Sequence, residues 1–151
     1  MRPTIALMPG DRNGIGSEVI AKFLSHNGAA QKSVQILIVA DPAVVMFGQG
    51  AAGSDVRFRK INAPEEIAKY NNCDEPLFLE RCYCRSDEPV GTGRISGAAG
   101  AEVLDQLGFL LALAASERIQ GIVFGPFNKP ALRLGGMQSG DTIDYLSLIH
   151  I

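Results

Sequence analysis

Two glycine-containing segments carry the polar and charged residues whose types and spacing could do chemistry. The first, MPGDRNGIG over residues 8–16, holds Asp11 as a charged acceptor and Arg12 as a donor. The second, FGPFNKPALRLGG, holds Asn128 and Lys129 directly after an apolar run. A cation in the first turn of a helix opposes the helix dipole, so a structural role rarely favours it, whereas an anionic substrate would. A solvated lysine at a loop edge is the alternative.

Standard phosphate-binding motifs do not explain the first segment. No Gly-Lys-Ser/Thr follows it, so it is not a Walker loop. Gly14 and Gly16 supply two of the three dinucleotide-binding glycines, and Asp41, the acidic residue after the next strand, is explained equally well as a helix N-cap. The structural alternative is a strand-to-helix turn in which Asn13 and the glycines adopt positive φ.

The elements that must position these residues alternate between strand and helix. Apolar runs predict strands over Thr4–Met8, Val34–Ala40 and Gly121–Phe124, the last two buried, with more exposed or shorter strands over Val56–Ile61 and Pro76–Glu80. Helical spacing and capping signals predict helices over Ser17–Leu24, from Asp41-Pro42, from Ser96 and over Asn128–Leu134. This order predicts an α/β fold: a three-layer α/β/α arrangement with a mostly parallel sheet. Its ligands should gather at the carboxyl ends of the strands.

Bulk properties narrow the class of protein. A chain of 151 residues suits one domain, and its net charge of -2 provides no field to attract nucleic acid or an anionic membrane. We find no signal peptide and no membrane-spanning run, so we expect a cytoplasmic protein. Three cysteines, Cys73, Cys82 and Cys84, fit reduced thiols, with redox or metal chemistry as the alternative. The histidines, His26 and His150, match no metal-ligand pattern.

Three blocks resemble one family. MPGDRNGIGSEV, GRISGAAGAEVLDQL and GIVFGPFNKPALRLGGM are similar, in order and spacing, to blocks of the 4-hydroxythreonine-4-phosphate dehydrogenase (PdxA) family. The likeness covers residues 3 to about 145. Arg12 and Ser17 stand where that family usually has prolines, which indicates a divergent member.

The resemblance implies a fold related to the isocitrate and isopropylmalate dehydrogenases. It implies oxidation of a secondary alcohol with NAD or NADP, a divalent metal ion, decarboxylation of the product, a homodimer and a role in pyridoxine biosynthesis. Lys129 and Asn128 match family positions near a small anionic substrate, and Asp11 is expected beside them. Thr142 matches a substrate-contacting threonine, whereas Asp141 replaces a histidine, so the substrate is expected to be a related hydroxy acid or phosphate ester.

The family chain is about twice as long, so we expect residues 1–145 to be an incomplete amino-terminal part, with residues 62–95 entering a second lobe. The metal ligands, the catalytic residues and much of the cofactor site are expected outside this chain. The last six residues, LSLIHI, are also the translation of a transposon-end adapter, so residues 146–151 are predicted to be non-native; a real apolar helix turn is the alternative.

Such a fragment would be inactive and poorly soluble, with apolar surface exposed on the first helix and along Leu107–Leu113. Two other functions stay open. One is a non-catalytic α/β module that binds a small anion. The other is a phosphotransacetylase-like acyl transferase, which would leave the Asn128-Lys129 block unexplained.

Overall fold

A parallel five-stranded sheet lies at the centre of the computed structural model, which describes residues 2–26, 30–83 and 90–138. In chain order its strands are β1 (Thr4–Met8), β2 (Gln35–Ala40), β3 (Arg59–Ile61), β4 (Leu77–Glu80) and β5 (Gly121–Phe124). They lie side by side in the order β3-β4-β2-β1-β5. The helices are α1 (Gly16–His26), α2 (Ala30–Ser33), α3 (Pro42–Ala52), α4 (Gly97–Ala115) and α5 (Lys129–Leu134), with 3₁₀ turns at Pro64–Glu66 and Ala68–Tyr70.

Helices cover both faces of the sheet, which confirms the predicted α/β fold. Alternate residues of each strand point to opposite faces. On one face, Leu7 and Ile38 pack with Leu24 of α1 and Val45 of α3. On the other, residues of the same strands pack against α4 and α5; this cluster includes Ala6, Met8, Leu37, Val39, Leu107, Leu110 and Leu132.

Several local predictions hold. All six residues of β2 are buried, as its apolar sequence predicts. Asp41 is the N-cap of α3, where its Oδ1 accepts a hydrogen bond of 2.8 Å from the Ala43 backbone N–H. The strand predicted over Pro76–Glu80 is β4, which lies between β3 and β2 in the sheet.

Other local predictions are wrong. The strand expected over Val56–Ile61 is confined to Arg59–Ile61. The stripe Leu107–Leu113, expected to be exposed, packs into the core through Leu107, Leu110 and Leu113. By length and composition alone, α4 could also cross a membrane, whereas the sequence analysis expected no such run. Its packing on the sheet explains that composition, because a core helix is apolar for the same reason.

The strand β5, expected to be buried, is partly exposed. It lies at the edge of the sheet, and Val123 and Phe124 are 56% and 43% exposed. Together with α1, which exposes Val19 and Phe23, it forms an apolar groove of about 430 Å³. Exposed apolar surface on the first helix therefore agrees with the prediction, and β5 adds to it.

Candidate functional site

The loop between β1 and α1 is a tight turn built around Asp11. Oδ1 of Asp11 accepts a hydrogen bond of 2.9 Å from the Asn13 backbone N–H, and the Gly14 N–H donates to the Asp11 carbonyl at 2.9 Å. Asp11 is only 6% exposed. The turn therefore fixes this carboxylate at the carboxyl end of β1.

The loop between β5 and α5 packs directly on this turn. The Gly125 N–H donates to the Met8 carbonyl at 2.8 Å, and the Asp11 N–H donates to the Pro126 carbonyl at 3.4 Å. Asn128 is the N-cap of α5: its Oδ1 accepts a hydrogen bond of 3.1 Å from the Ala131 N–H. Lys129 is the first residue of the helix and is exposed.

Close approach between these two loops explains their glycines. A Cβ built on Gly16 or on Gly125 would overlap the Pro9 carbonyl oxygen, so neither position accepts a side chain. Gly10 alone in this loop has positive φ, at 82°. The structural alternative of positive φ therefore holds for Gly10 but not for Asn13, Gly14 or Gly16, and Gly16 serves close backbone packing instead. The space at Gly16 is filled by the protein's own backbone, so this turn does not fit a dinucleotide pyrophosphate there.

A third loop, residues 91–95, reaches the same place. The Gly91 N–H donates to the Arg12 carbonyl and the Gly93 N–H to the Asn13 carbonyl, both at 3.0 Å. The Asn13 side chain adds two bonds: Nδ2 donates to the Arg94 carbonyl at 3.3 Å, and Oδ1 accepts from the Thr92 hydroxyl at 3.0 Å. The segment before α4 is thereby fastened to the loop after β1.

These three loops line one open, solvent-accessible cavity of about 690 Å³. Asp11, Asn13, Arg94, Asn128 and Lys129 are among the residues that line it. It lies beyond the carboxyl ends of β1 and β5. From β1 the chain continues through α1 to β2 on one side, whereas β5 lies on the other side of β1. This is a topological switch point, where ligands bind in open α/β sheets.

The predicted residues Asp11, Asn128 and Lys129 therefore meet at one cavity. Arg94 and Asn13 were missed by the sequence analysis. Arg94 lies in the family-like block GRISGAAGAEVLDQL, two residues before Ser96, the N-cap of α4, but its residue type and spacing alone do not indicate a role. Asp141 and Thr142, also predicted to contact substrate, lie outside the described residues, as do residues 146–151.

Arg12 does not line this cavity. Its Nη1 donates to Oε1 of Glu102 at 2.8 Å, and both side chains are nearly inaccessible, at 8% and 9%. The pair ties the loop after β1 to α4. It is a structural contact, because a buried charge must be paired.

The carboxyl end of β4 lies at the same edge of the sheet but carries different chemistry. Arg81 Nε donates to the Tyr83 hydroxyl at 2.9 Å, and the guanidinium stacks over the Phe109 ring at 4.0 Å. Burial raises the pKa of Tyr83 to about 12. This phenol stays neutral near physiological pH and offers no base.

A metal ion does not fit the described part of the cavity. Within residues 2–26, 30–83 and 90–138 there is no group of three His, Cys, Asp or Glu side chains that could hold one. Among the lining residues named for the cavity, Asp11 is the single carboxylate. The described cavity can therefore bind an anion through cations and amides.

Comparison with known proteins gives relatives of one kind. A D-threonate 4-phosphate dehydrogenase of Cupriavidus necator is 31% identical over 134 residues, covering 89% of this chain and 39% of that protein. A 4-hydroxythreonine-4-phosphate dehydrogenase of Beijerinckia indica is 28% identical over 133 residues, covering 88% and 37%. A crystal structure of a 4-hydroxythreonine-4-phosphate dehydrogenase from Burkholderia phymatum matches with a TM-score of 0.81 and 25% identity, over 99% of this chain and 44% of that one.

The chain is a homologue of the 4-hydroxythreonine-4-phosphate dehydrogenases. The predicted family resemblance is confirmed, although no protein-family model matches the chain. The chain spans about two fifths of the length of the curated dehydrogenases it matches. That coverage fits the predicted amino-terminal part of a dehydrogenase.

Proposed function

We propose that this chain forms the anion-binding part of an NAD- or NADP-dependent dehydrogenase that oxidises a secondary alcohol of a small anionic hydroxy acid or phosphate ester. The observation that carries the proposal is the convergence of Asp11, Asn128 and Lys129 on one cavity at the switch point between β1 and β5. Residues more than a hundred positions apart meet there through two loops that pack backbone to backbone.

The substrate class follows from the charges and from the relatives. Lys129 supplies a cation at the cavity, which suits a phosphate or carboxylate group. The relatives are named for two substrates that are both 4-phosphates of four-carbon hydroxy acids. We assign Lys129 to the anionic group and Asp11 to the substrate hydroxyl, which can donate a hydrogen bond to a carboxylate. Asn128 caps α5 and so holds Lys129 in place.

The proposed reaction also needs a nicotinamide cofactor as hydride acceptor and a divalent ion. The described residues contain no group of three metal-ligating side chains, and the turn at Gly16 does not fit a dinucleotide pyrophosphate, so we assign both sites to other parts of the longer protein. Decarboxylation of the oxidised product is part of the same proposal. Every role assigned to this chain is one of binding and positioning.

The assembly is proposed on the same basis. We infer that the longer protein is a cytoplasmic homodimer and that these 151 residues alone lack dehydrogenase activity. Residues 146–151 are proposed to be non-native, and residues 1–145 to be the family-related part.

The test is anion binding by the chain itself. Inorganic phosphate and D-threonate 4-phosphate would be titrated into the 151-residue protein, with backbone amide NMR shifts as the readout. We expect shifts at Gly14, Gly93 and Lys129. Lys129→Gln should weaken binding at least about tenfold, since a hydrogen bond to a charged group contributes roughly 1.5–3 kcal/mol.

The matched control is Lys32→Gln, because Lys32 is also exposed and lies in α2, before β2 begins. It should leave both affinities unchanged. Shifts spread over the surface, or equal losses in the two variants, would show non-specific binding and overturn the proposal. The longer gene product, supplied with D-threonate 4-phosphate, NAD or NADP and a divalent ion, should reduce the nicotinamide cofactor, and the 151-residue chain should not.

A further inference from the structure

Arg94 is placed at the cavity by a hydrogen-bonded contact between two loops. The backbone of residues 91–93 pairs with that of residues 12–13 through two N–H···O bonds of 3.0 Å. Asn13, only 5% exposed, then holds the Arg94 carbonyl through its side-chain amide and the Thr92 hydroxyl through its side-chain oxygen. The position of Arg94 is therefore set by the protein, although its side chain is exposed.

The guanidinium of Arg94 differs from those of four other arginines in the described chain. Arg2, Arg12, Arg59 and Arg118 each form an ion pair with a carboxylate. Within residues 2–26, 30–83 and 90–138, no carboxylate forms an ion pair with Arg94. This cation instead lines the 690 Å³ cavity together with Lys129.

Two cations on different loops suit a ligand with two anionic groups. Lys129 belongs to the β5–α5 loop, whereas Arg94 belongs to the segment that precedes α4. A guanidinium presents two parallel N–H donors that match a carboxylate or a phosphate, and an ammonium acts as a point charge. A ligand with a single anionic group can pair with one of these two cations, whereas a ligand with two anionic groups can pair with both.

We propose that Arg94 is a second anion-binding residue of this cavity, that it selects a small hydroxy acid bearing two anionic groups, and that Asn13 is its positioning residue. The proposal rests on the proposed function and goes further by naming the residue that binds the second anionic group of the substrate. Both residues lie in blocks that resemble the family, but the sequence analysis assigned neither of them a role in binding substrate.

The test compares ligands with one and two anionic groups. Inorganic phosphate, D-threonate and D-threonate 4-phosphate would be titrated into the 151-residue chain and its variants. The wild type should bind the doubly anionic ligand at least tenfold more tightly than either singly anionic one. Arg94→Gln should remove most of that advantage, and Arg94→Lys should restore it only in part, because the lysine keeps the charge but loses the paired donors.

Arg57→Gln is the matched control. Arg57 is also exposed and forms no ion pair within the described residues, and it lies outside the lining of the cavity. It should change none of the three affinities by more than twofold. A thermal melt of each variant would confirm an unchanged fold.

The role of Asn13 is read from a double-mutant cycle. Asn13→Ala should weaken the doubly anionic ligand in the wild-type background and have little further effect when Arg94 is already glutamine. A residue with a general structural role would weaken binding equally in both backgrounds, and that result would overturn the assignment of Asn13.

The outcomes separate this inference from the proposed function. If Lys129→Gln weakens phosphate binding but Arg94→Gln leaves the preference for the doubly anionic ligand intact, the inference is wrong and the proposed function stands. If no ligand binds the wild type at the cavity, both are overturned.

Discussion

Two glycines of α4 should respond oppositely to the same substitution. A Cβ on Gly100 would lie 2.9 Å from the Leu132 backbone nitrogen and closer still to the Ala131 carbonyl oxygen. Ordinary contact begins at 3.4 Å, so α5 would have to move. A Cβ on Gly108 meets nothing within 4 Å. The glycine at the start of α4 therefore lets α5 approach closely.

The magnitudes follow from two opposing effects. Replacing glycine by alanine inside a helix stabilises the folded chain by about 1 kcal/mol. The reason is that alanine has less backbone entropy to lose on folding than glycine has. Overpacking costs about 1–3 kcal/mol, and the upper end applies to Gly100 since the obstructing atoms are backbone rather than movable side chain. We therefore expect Gly108→Ala to stabilise the chain by up to about 1 kcal/mol and Gly100→Ala to destabilise it by about 2 kcal/mol.

Urea denaturation followed by circular dichroism would measure both free energies of unfolding. The same two proteins would be titrated with inorganic phosphate. Since Lys129 is the first residue of α5, the displacement caused by Gly100→Ala should also weaken phosphate binding, and Gly108→Ala should not affect it. If Gly100→Ala proved as stable as Gly108→Ala, the close packing of α4 on α5 would be refuted.

Three further perturbations test the packing and electrostatics of the fold. Glu102→Gln should lower the free energy of unfolding in urea by about 3–5 kcal/mol, because it leaves Arg12 buried without its counter-charge. Replacing both residues by leucine should recover much of that loss. A loss below about 1 kcal/mol for Glu102→Gln would contradict the buried pair. Tyr83 should ionise near pH 12 in an absorbance titration. Its contribution to stability is therefore complete below pH 10 and is lost as the pH rises towards 12. A difference spectrum between the wild type and Tyr83→Phe that titrates at pH 10 would exclude the raised pKa. Val123→Lys, in the apolar groove between α1 and β5, should reduce self-association in analytical ultracentrifugation and should reduce binding of an apolar dye. Ile95 is equally exposed but lies outside the groove, so Ile95→Lys should change neither. Equal effects of the two variants would show that the groove has no special role.

Much of the fold could be predicted because its signals are local. The six apolar residues of β2 predict a strand buried on both faces, and Asp41-Pro42 predicts where α3 begins. The position of β4 between β3 and β2 has no such signal, since strand order is set by long-range packing. The exposure of Phe124 was missed for a related reason: its apolar neighbours predict burial, but burial depends on what lies beside β5.

The residues of the candidate site also differ in whether their signal is local or long-range. Lys129 could be predicted because a cation at the start of a helix conflicts with the helix dipole. Such a conflict indicates a functional residue, and it can be recognised from a few neighbouring residues alone. Arg94 produces no conflict: it lies in an irregular segment where an exposed arginine needs no explanation. Its importance emerges only when the backbone of residues 91–93 is seen to pair with residues 12–13, eighty positions away.

The glycines of the opening loop show why a residue type can be noticed correctly and explained wrongly. Their number after β1 predicts either positive φ or a close approach, and both explanations fit the sequence. The structure assigns positive φ to Gly10 and backbone contact to Gly16 and Gly125, which pack on the same carbonyl of Pro9. That shared contact brings Asp11 and Lys129 to one cavity. The glycines therefore act on the candidate site indirectly, by allowing two loops to approach each other, and an alanine at Gly16 or Gly125 would separate the charged residues without replacing either of them.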